Sequence, residues 1–122
     1  MPGGQFRFII HPKVYETTVG FYRDALGLRL TGSWDRSFYD RGTLFAAASG
    51  TIEVIHLDEG QEFTPPQGVE IAFEVDDLDA WYRRALEEGL RIRHEPTSYP
   101  WGHRSFSVLD PNGIPVIMFS VE

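Results

Sequence analysis

The stretches FYRDALG, residues 21–27, and WYRRALEEG, residues 81–89, are two copies of one pattern: an aromatic residue, Tyr and Arg, then Ala and Leu, then glycine. In the second copy the apolar residues recur at intervals of three and four, which is the spacing of one face of a helix. Glycine is common directly after a helix because it adopts left-handed backbone angles at little cost. The two stretches therefore predict helices at residues 17–26 and 77–88.

Strand-like sequence surrounds both predicted helices. Each helix follows a short apolar run, FRFIIH at 6–11 and VEIAFEV at 69–75, and precedes about thirty residues of strand and turn sequence. The strands expected after the helices lie at 28–34, 38–47 and 51–57 in the first copy and at 91–95, 103–109 and 115–121 in the second. The pattern predicts an α+β fold, in which two tandem βαβββ modules form curved mixed sheets around a cleft.

Chain length and the repeat together predict the domain organisation. A chain of 122 residues has the length of one domain. We expect a single domain over residues 1–122, with modules at about 5–57 and 68–121 and a polar linker at 58–67 between them.

Composition excludes several classes of protein. Acidic residues outnumber basic ones by 18 to 11, the formal charge is −7, and the arginines are scattered, so nucleic acid is not an expected partner. The chain has no cysteine, which excludes disulfides and thiolate metal sites. No apolar stretch approaches the roughly 18 residues that would cross a bilayer. We therefore expect a cytoplasmic protein without a membrane partner.

The first strand of each module carries polar residues on one face. Because side chains alternate between the two faces of a strand, Arg7 and His11 share a face of FRFIIH, and Glu70 and Glu74 share a face of VEIAFEV. The opposite faces are apolar and suited to packing under a helix. A polar face of this kind is typical of a surface that lines a pocket or meets water. These four residues are therefore candidate ligand-binding residues.

The stretch YPWGHRSF, residues 99–106, places a tryptophan in a Pro-Gly turn just before a strand. Trp101 either lines the rim of a cavity, where it would stack on a flat ligand, or plugs the end of the core. We favour the rim, because later strand positions already supply the apolar core residues, namely Phe106, Val108, Val116 and Met118. His103 follows directly and either donates to a ligand or is simply exposed.

The tandem βαβββ pattern, the FYRDALGL helix end and the stretch PWGHRSFSVLDPNGIPVIMFS together resemble the vicinal oxygen chelate superfamily. This superfamily includes glyoxalases, bleomycin-resistance proteins, fosfomycin-resistance enzymes and extradiol dioxygenases. The resemblance covers nearly the whole chain and is nearest in pattern to the bleomycin-resistance branch. Because the superfamily contains several chemistries and also plain binding proteins, the resemblance implies the fold more specifically than the function.

In metal-dependent members of that superfamily, four positions hold a divalent ion: a His or Gln on the first strand, a Glu on the fourth, a His on the fifth and a Glu on the eighth. The resemblance puts these positions at Arg7, Glu53, Glu70 and Ile117. Only Glu53 keeps the residue type, and an arginine and an isoleucine cannot ligate, so we expect no metal and no cofactor. If the residues converge as the family's ligands do, Arg7 pairs with Glu53, Glu70 or both. That pair either takes the electrostatic role of the metal or is a buried ion pair without function.

The resemblance leaves the function open between two classes of protein. We favour a metal-free small-molecule binding protein that sequesters or carries an aromatic or cationic ligand. The alternative is a superfamily enzyme, a lyase, isomerase or dioxygenase, with a rebuilt metal site or with carboxylate acid–base chemistry at Glu70 or Glu74. A third possibility is a protein-interaction domain with a vestigial pocket.

The family context also predicts a homodimer, because a chain this short usually completes its cavities by pairing. Trp34 and Phe38 flank a predicted DRS turn and are equally suited to a cavity wall and to a dimer contact.

Overall fold

In the computed structural model, which describes residues 1–122, each βαβββ module forms one four-stranded mixed sheet with its own helix. The two modules lie in separate compact units, Met1–Thr64 and Pro65–Glu122. The predicted fold class is therefore confirmed, whereas the predicted single domain and its linker stay predictions.

The first unit contains strands β1 (Arg7–Ile10), β2 (Leu30–Ser37), β3 (Asp40–Ala47) and β4 (Gly50–Ile55), and helix α1 (Tyr15–Gly20), which continues as a π-helical turn over Phe21–Ala25. The second unit contains β5 (Ile71–Glu74), α2 (Leu78–Glu87), β6 (Arg91–Ser98), β7 (His103–Leu109) and β8 (Pro115–Val121).

Both sheets have the same topology. The strand order is β1-β4-β3-β2 in the first unit and β5-β8-β7-β6 in the second. In each unit the first strand is parallel to the last, and the other pairs are antiparallel. A parallel pair needs a crossover connection, and in both units the helix is part of that connection. The internal repeat in the sequence is thus a repeat in the structure.

The helices end where the repeat predicts. Gly27 and Gly89 have φ angles of 68° and 67°, in the left-handed region that favours glycine. The starts differ from the prediction: the first helix begins two residues earlier, at Tyr15. The second begins at Leu78, because the side chain of Asp77 accepts a hydrogen bond from the Ala80 N–H at 3.0 Å and so caps the helix. Neither α1 nor α2 has the length and apolar character that crossing a membrane requires.

The two hydrophobic cores are built on equivalent aromatic pairs. Tyr22 of the first motif copy packs against Phe45 on β3, with ring centroids 6.3 Å apart, and Tyr82 of the second packs against Phe106 on β7 at 5.3 Å. The predicted core positions of the second unit are all buried, namely Phe106, Val108, Val116 and Met118. These residues occupy the helix side of the sheet, which leaves the other side free for a site.

The DPNG turn fixes the register of β7 and β8. The buried carboxylate of Asp110 accepts hydrogen bonds from the backbone N–H groups of Asn112, at 2.7 Å, and Ile114, at 2.9 Å. Satisfying these donors inside the turn holds the two central strands of the sheet in one alignment.

Candidate functional site

A cavity of about 650 Å³ lies on the face of the second sheet opposite its helix. This volume is typical of small-molecule sites in proteins. The cavity is lined by residues from all four strands, the residue before β5 and the β6–β7 turn: Glu70, Ala72, Arg93, His94, Tyr99, Trp101, His103, Ser105, Phe106, Ser107, Ile117 and Phe119.

Small side chains on the central strand β7 form the floor of the cavity. Ser107 stands opposite His94 on β6 and opposite Ile117 on β8, so a serine lies between two larger side chains. Ser105, two residues earlier and therefore on the same face, lies opposite Phe119. The small residues on β7 leave the space that the larger side chains of the neighbouring strands enclose.

Stacked aromatic rings stand on both sides of the floor. The rings of Tyr99 and Trp101 are 4.6 Å apart at an interplanar angle of 15°, and His94 is stacked on Tyr99 at 6.3 Å and 23°. On the β7–β8 side, His103 is stacked on Phe119 at 5.1 Å and 21°. Flat rings in parallel arrangement are suited to receiving another flat ring.

The β6–β7 turn holds Trp101 in place by backbone hydrogen bonds. The N–H of Gly102 donates to the Tyr99 carbonyl at 3.1 Å, and the N–H of Tyr99 donates to the His103 carbonyl at 2.7 Å. Gly102 has φ 88°, and its carbonyl accepts from the N–H of Glu122 at 2.7 Å. Trp101 is 67% exposed, so its side chain does not plug the end of the core.

In the first unit, Arg7 and Glu53 form an ion pair on neighbouring strands. Arg7 Nη1 lies 3.3 Å from Glu53 Oε1, and Arg7 Nε donates to the Gln5 side chain at 2.6 Å. The Glu53 side chain is only 9% exposed, whereas that of Arg7 is 42% exposed. The pairing that the sequence left open therefore includes Glu53.

An aromatic cluster surrounds a second arginine at one end of the first unit. The Arg41 guanidinium lies over the rings of Tyr15, at 4.8 Å, and Phe38, at 5.1 Å. Its Nη1 donates to Glu16 Oε1 at 2.8 Å, and this hydrogen bond lowers the pKa of Glu16 below its ordinary value. His56 packs edge-on against Phe38 at 5.0 Å. These contacts hold the Arg41 guanidinium between two rings and a carboxylate at the surface of the first unit.

The residues at the superfamily's metal positions do not fit a divalent ion. In the first unit, the Arg7 guanidinium is directed at the Glu53 oxygen that a metal would need. In the second unit, Ile117 offers only an apolar side chain at the cavity. No group of three or more His, Asp and Glu side chains is arranged to hold a metal ion. A positively charged guanidinium and an aliphatic side chain cannot coordinate a divalent cation.

Three of the residues predicted to bind ligand lie together at the cavity: Glu70, Trp101 and His103. Glu74, on the same strand as Ala72, is exposed and does not line it. The remaining predicted residues belong to the first unit: Arg7, His11, Trp34, Phe38 and Glu53.

Trp34 and Phe38 occupy different environments. The Trp34 ring covers Gly42, where a side chain would collide with it, and its Nε1 donates to Asp40 Oδ1 at 3.1 Å. Phe38 is exposed. The predicted DRS turn between them is wrong, because β2 continues to Ser37 and the turn follows it.

Sequence reasoning missed several cavity residues, most clearly His94 and Tyr99. Neither residue has a role in the sequence-based predictions, yet His94 lines the cavity and stacks on Tyr99. Ser105 and Ser107 could have been found, because they lie two and four residues after His103 on β7 and therefore share its face.

The comparisons with known proteins agree on the fold. The model of the Glyoxalase/Bleomycin resistance protein/Dioxygenase superfamily matches residues 8–118. Among curated proteins, none matches this sequence.

Three solved structures illustrate the range of similar proteins. Lactoylglutathione lyase from Agrobacterium tumefaciens superposes with a TM-score of 0.74 at 19% identity, covering 98% of this chain and 95% of that one. TnmS3, an antibiotic binding protein from Streptomyces sp. CB03234, has a TM-score of 0.76 at 21% identity, covering 99% and 98%. TioX from Micromonospora sp. ML1 has a TM-score of 0.77 at 18% identity, covering 98% and 100%. At these identities the likeness shows the fold alone.

Proposed function

The chain belongs to the Glyoxalase/Bleomycin resistance protein/Dioxygenase superfamily, and we propose that within it this protein is a metal-free small-molecule binding protein. Its ligand is a flat aromatic molecule, neutral or cationic, held in the cavity of the second unit. The observation that carries the proposal is the pair of stacked ring systems, Tyr99 with Trp101 and His103 with Phe119, around one cavity.

Aromatic stacking suits this ligand class physically. A ring that stacks on Trp or Tyr gains apolar burial together with a favourable alignment of ring quadrupoles. Cation–π attraction adds to this for a positively charged ring. The cavity lining has one carboxylate, Glu70, and one guanidinium, Arg93, and the formal charge of −7 of the whole chain favours a cation over an anion.

The positions used by metal-dependent relatives support binding rather than metal-assisted catalysis. Arg7 neutralises Glu53 within its own unit, and Ile117 contributes an apolar surface to the cavity. Two of the metal positions thus form an ion pair, and a third forms part of the cavity wall. Both arrangements are compatible with a protein that binds a ligand without catalysing a reaction.

An enzyme is the second candidate, because the cavity lining contains Glu70 together with two histidines, His94 and His103. A carboxylate and imidazoles at one cavity are the groups that acid–base catalysis uses. One of the structures with the same fold is a lactoylglutathione lyase. This alternative requires a substrate that carries an acidic proton or a carbonyl group.

A thermal-shift screen combined with elemental analysis separates the two candidates. The binding protein should be stabilised by planar aromatic compounds, with cationic ones at least as effective, by about 2.7 kcal/mol when the ligand is at one hundred times its dissociation constant. The purified protein should carry no stoichiometric zinc, nickel, manganese or iron. Stabilisation by small diacids or ketoacids only, with about one tightly held metal per chain, would overturn the proposal in favour of the enzyme.

A further inference from the structure

Ser107 carries the one buried side-chain polar atom in residues 1–122 that has no hydrogen-bond partner. The residue is 3% exposed and lines the cavity, on the same face of β7 as Ser105. A buried hydroxyl without a partner is unfavourable, and folded proteins rarely keep one without a reason. A hydroxyl of this kind in a ligand cavity indicates that its partner is a group the ligand brings.

The surroundings of Ser107 leave it no protein partner. The residues before and after it, Phe106 and Val108, are buried apolar core residues, so the serine is the only polar side chain of the three. Ile117, opposite Ser107 on β8, offers no acceptor. His94, opposite it on β6, has its Nε2 3.4 Å from the Tyr99 hydroxyl and makes no hydrogen bond to Ser107.

We propose that the Ser107 hydroxyl donates a hydrogen bond to an acceptor on the edge of a flat aromatic ligand, which makes ring systems bearing a ring carbonyl the preferred ligand class. The polar atoms of an aromatic ring system lie in the ring plane. A flat ligand stacked on the open face of Trp101 therefore turns its edge, and any carbonyl on that edge, towards the floor. Electron-poor rings conjugated to a carbonyl also stack well on the electron-rich Tyr and Trp rings. This inference rests on the proposed function and deepens it.

Two probes that differ only at a ring carbonyl test this role: 2-(trimethylammoniomethyl)-9-oxofluorene and 2-(trimethylammoniomethyl)fluorene. Both are planar tricyclic cations of similar size, and the shared ammonium group keeps both soluble. Their dissociation constants are measured by quenching of tryptophan fluorescence for the wild-type chain, for Ser107→Ala and for Ser120→Ala. Ser120 is a matched control because it lies on β8 outside the cavity lining.

The wild-type chain should bind the oxofluorene about fivefold to tenfold more tightly than the fluorene, as expected for one buried hydrogen bond. Ser107→Ala should abolish this preference by weakening only the oxofluorene complex, and Ser120→Ala should retain it. Ser107→Ala should also melt at the same temperature as the wild type or higher, because the hydroxyl is unpaired without ligand. A serine with a structural role would lower the melting temperature.

The outcomes separate failure of this inference from failure of the proposed function. Equal wild-type affinity for both probes, or a preference that survives in Ser107→Ala, overturns the Ser107 role and leaves aromatic binding standing. No saturable binding of either probe to the wild-type chain overturns both. The wild-type comparison alone decides the matter if the variant does not fold.

Discussion

Trp101 lies ring on ring with Tyr99, with centroids 4.6 Å apart and planes 15° from parallel, although two thirds of its own surface is exposed. The backbone of the β6–β7 turn keeps the pair together. An exposed tryptophan held in a fixed orientation loses little conformational entropy when a ligand binds, and preorganisation of this kind favours affinity. The proposed binding of a flat aromatic ligand therefore depends first on Trp101.

Trp101→Ala should weaken binding of a planar aromatic ligand by about 1 to 3 kcal/mol, because it removes one stacking face. The free energy of unfolding should fall by less than about 1 kcal/mol, since little buried surface is lost. Denaturant melts beside a binding titration measure the two quantities separately. Leu86→Ala, a change of an exposed apolar residue on α2, is the control and should alter neither. Normal affinity combined with a loss of several kcal/mol in stability would show that Trp101 is a packing residue.

The Arg7–Glu53 pair should contribute to the stability of the first unit. Arg7→Met leaves a largely buried carboxylate without its partner and should cost about 1 to 2 kcal/mol, a value reduced from that of a fully buried pair because Arg7 is 42% exposed. Glu53→Gln in the Arg7→Met background should recover part of this loss. A double-mutant cycle from urea denaturation measures the coupling. Strictly additive costs would show that the two side chains do not stabilise each other.

Stability in acid should depend on the Glu16–Arg41 pair. The hydrogen bond from Arg41 holds the pKa of Glu16 below its ordinary value of 4.5 in the folded chain. The pair therefore stabilises fully above that value, and the contribution is lost as the pH falls through the lower folded pKa.

Because the Glu16 side chain is 66% exposed, its contribution should stay below about 1 kcal/mol. Glu16→Gln should lower the unfolding free energy by that amount at neutral pH and leave it unchanged in strong acid. Urea melts at the two pH values measure the difference, and an effect of equal size at both would contradict the assignment.

We predict that the protein is a homodimer through its sheet edges. β1 and β5 each pair with only one strand, and large apolar residues on or beside them are exposed, namely Phe6, Ile9 and Val69. Light scattering at micromolar concentration should give twice the monomer mass of 13.9 kDa. Ile9→Lys should shift the protein towards the monomer, whereas Leu86→Lys should not. A monomer mass for the unaltered chain would count against the prediction.

The sequence predicts the fold well because the βαβββ pattern occurs twice in it, so each copy supports the interpretation of the other. The repeated helix motif and its glycine stops locate both helices, and strand-length runs between turn residues locate all eight strands. The larger error in a helix start lies where no side chain marks it: Val14, which precedes α1, makes no side-chain cap hydrogen bond. Leu86 has the spacing of the core face but is exposed, so spacing alone overstates the width of the buried stripe.

The cavity is less predictable because it depends on how β6 is aligned. Register shifts on both sides of His94 break the simple alternation that would assign its side chain to a face. The strand also extends to Ser98, three residues beyond its predicted end, which brings Tyr99 to the mouth of the cavity. Such bulges arise from pairing with β7, and a single strand's pattern does not contain that information.

Titration of the isotope-labelled chain with 2-(trimethylammoniomethyl)-9-oxofluorene, followed by NMR chemical shifts, tests the central claim most directly because it reports both binding and its place. The account predicts saturable shift changes concentrated at the cavity, above all at the indole N–H of Trp101 and the backbone amides of Ser107 and Phe119. Amides of residues 1–64 should move little. Saturable changes confined to residues 1–64, or no saturable change at all, would contradict the claim that the second unit holds a site for flat aromatic molecules.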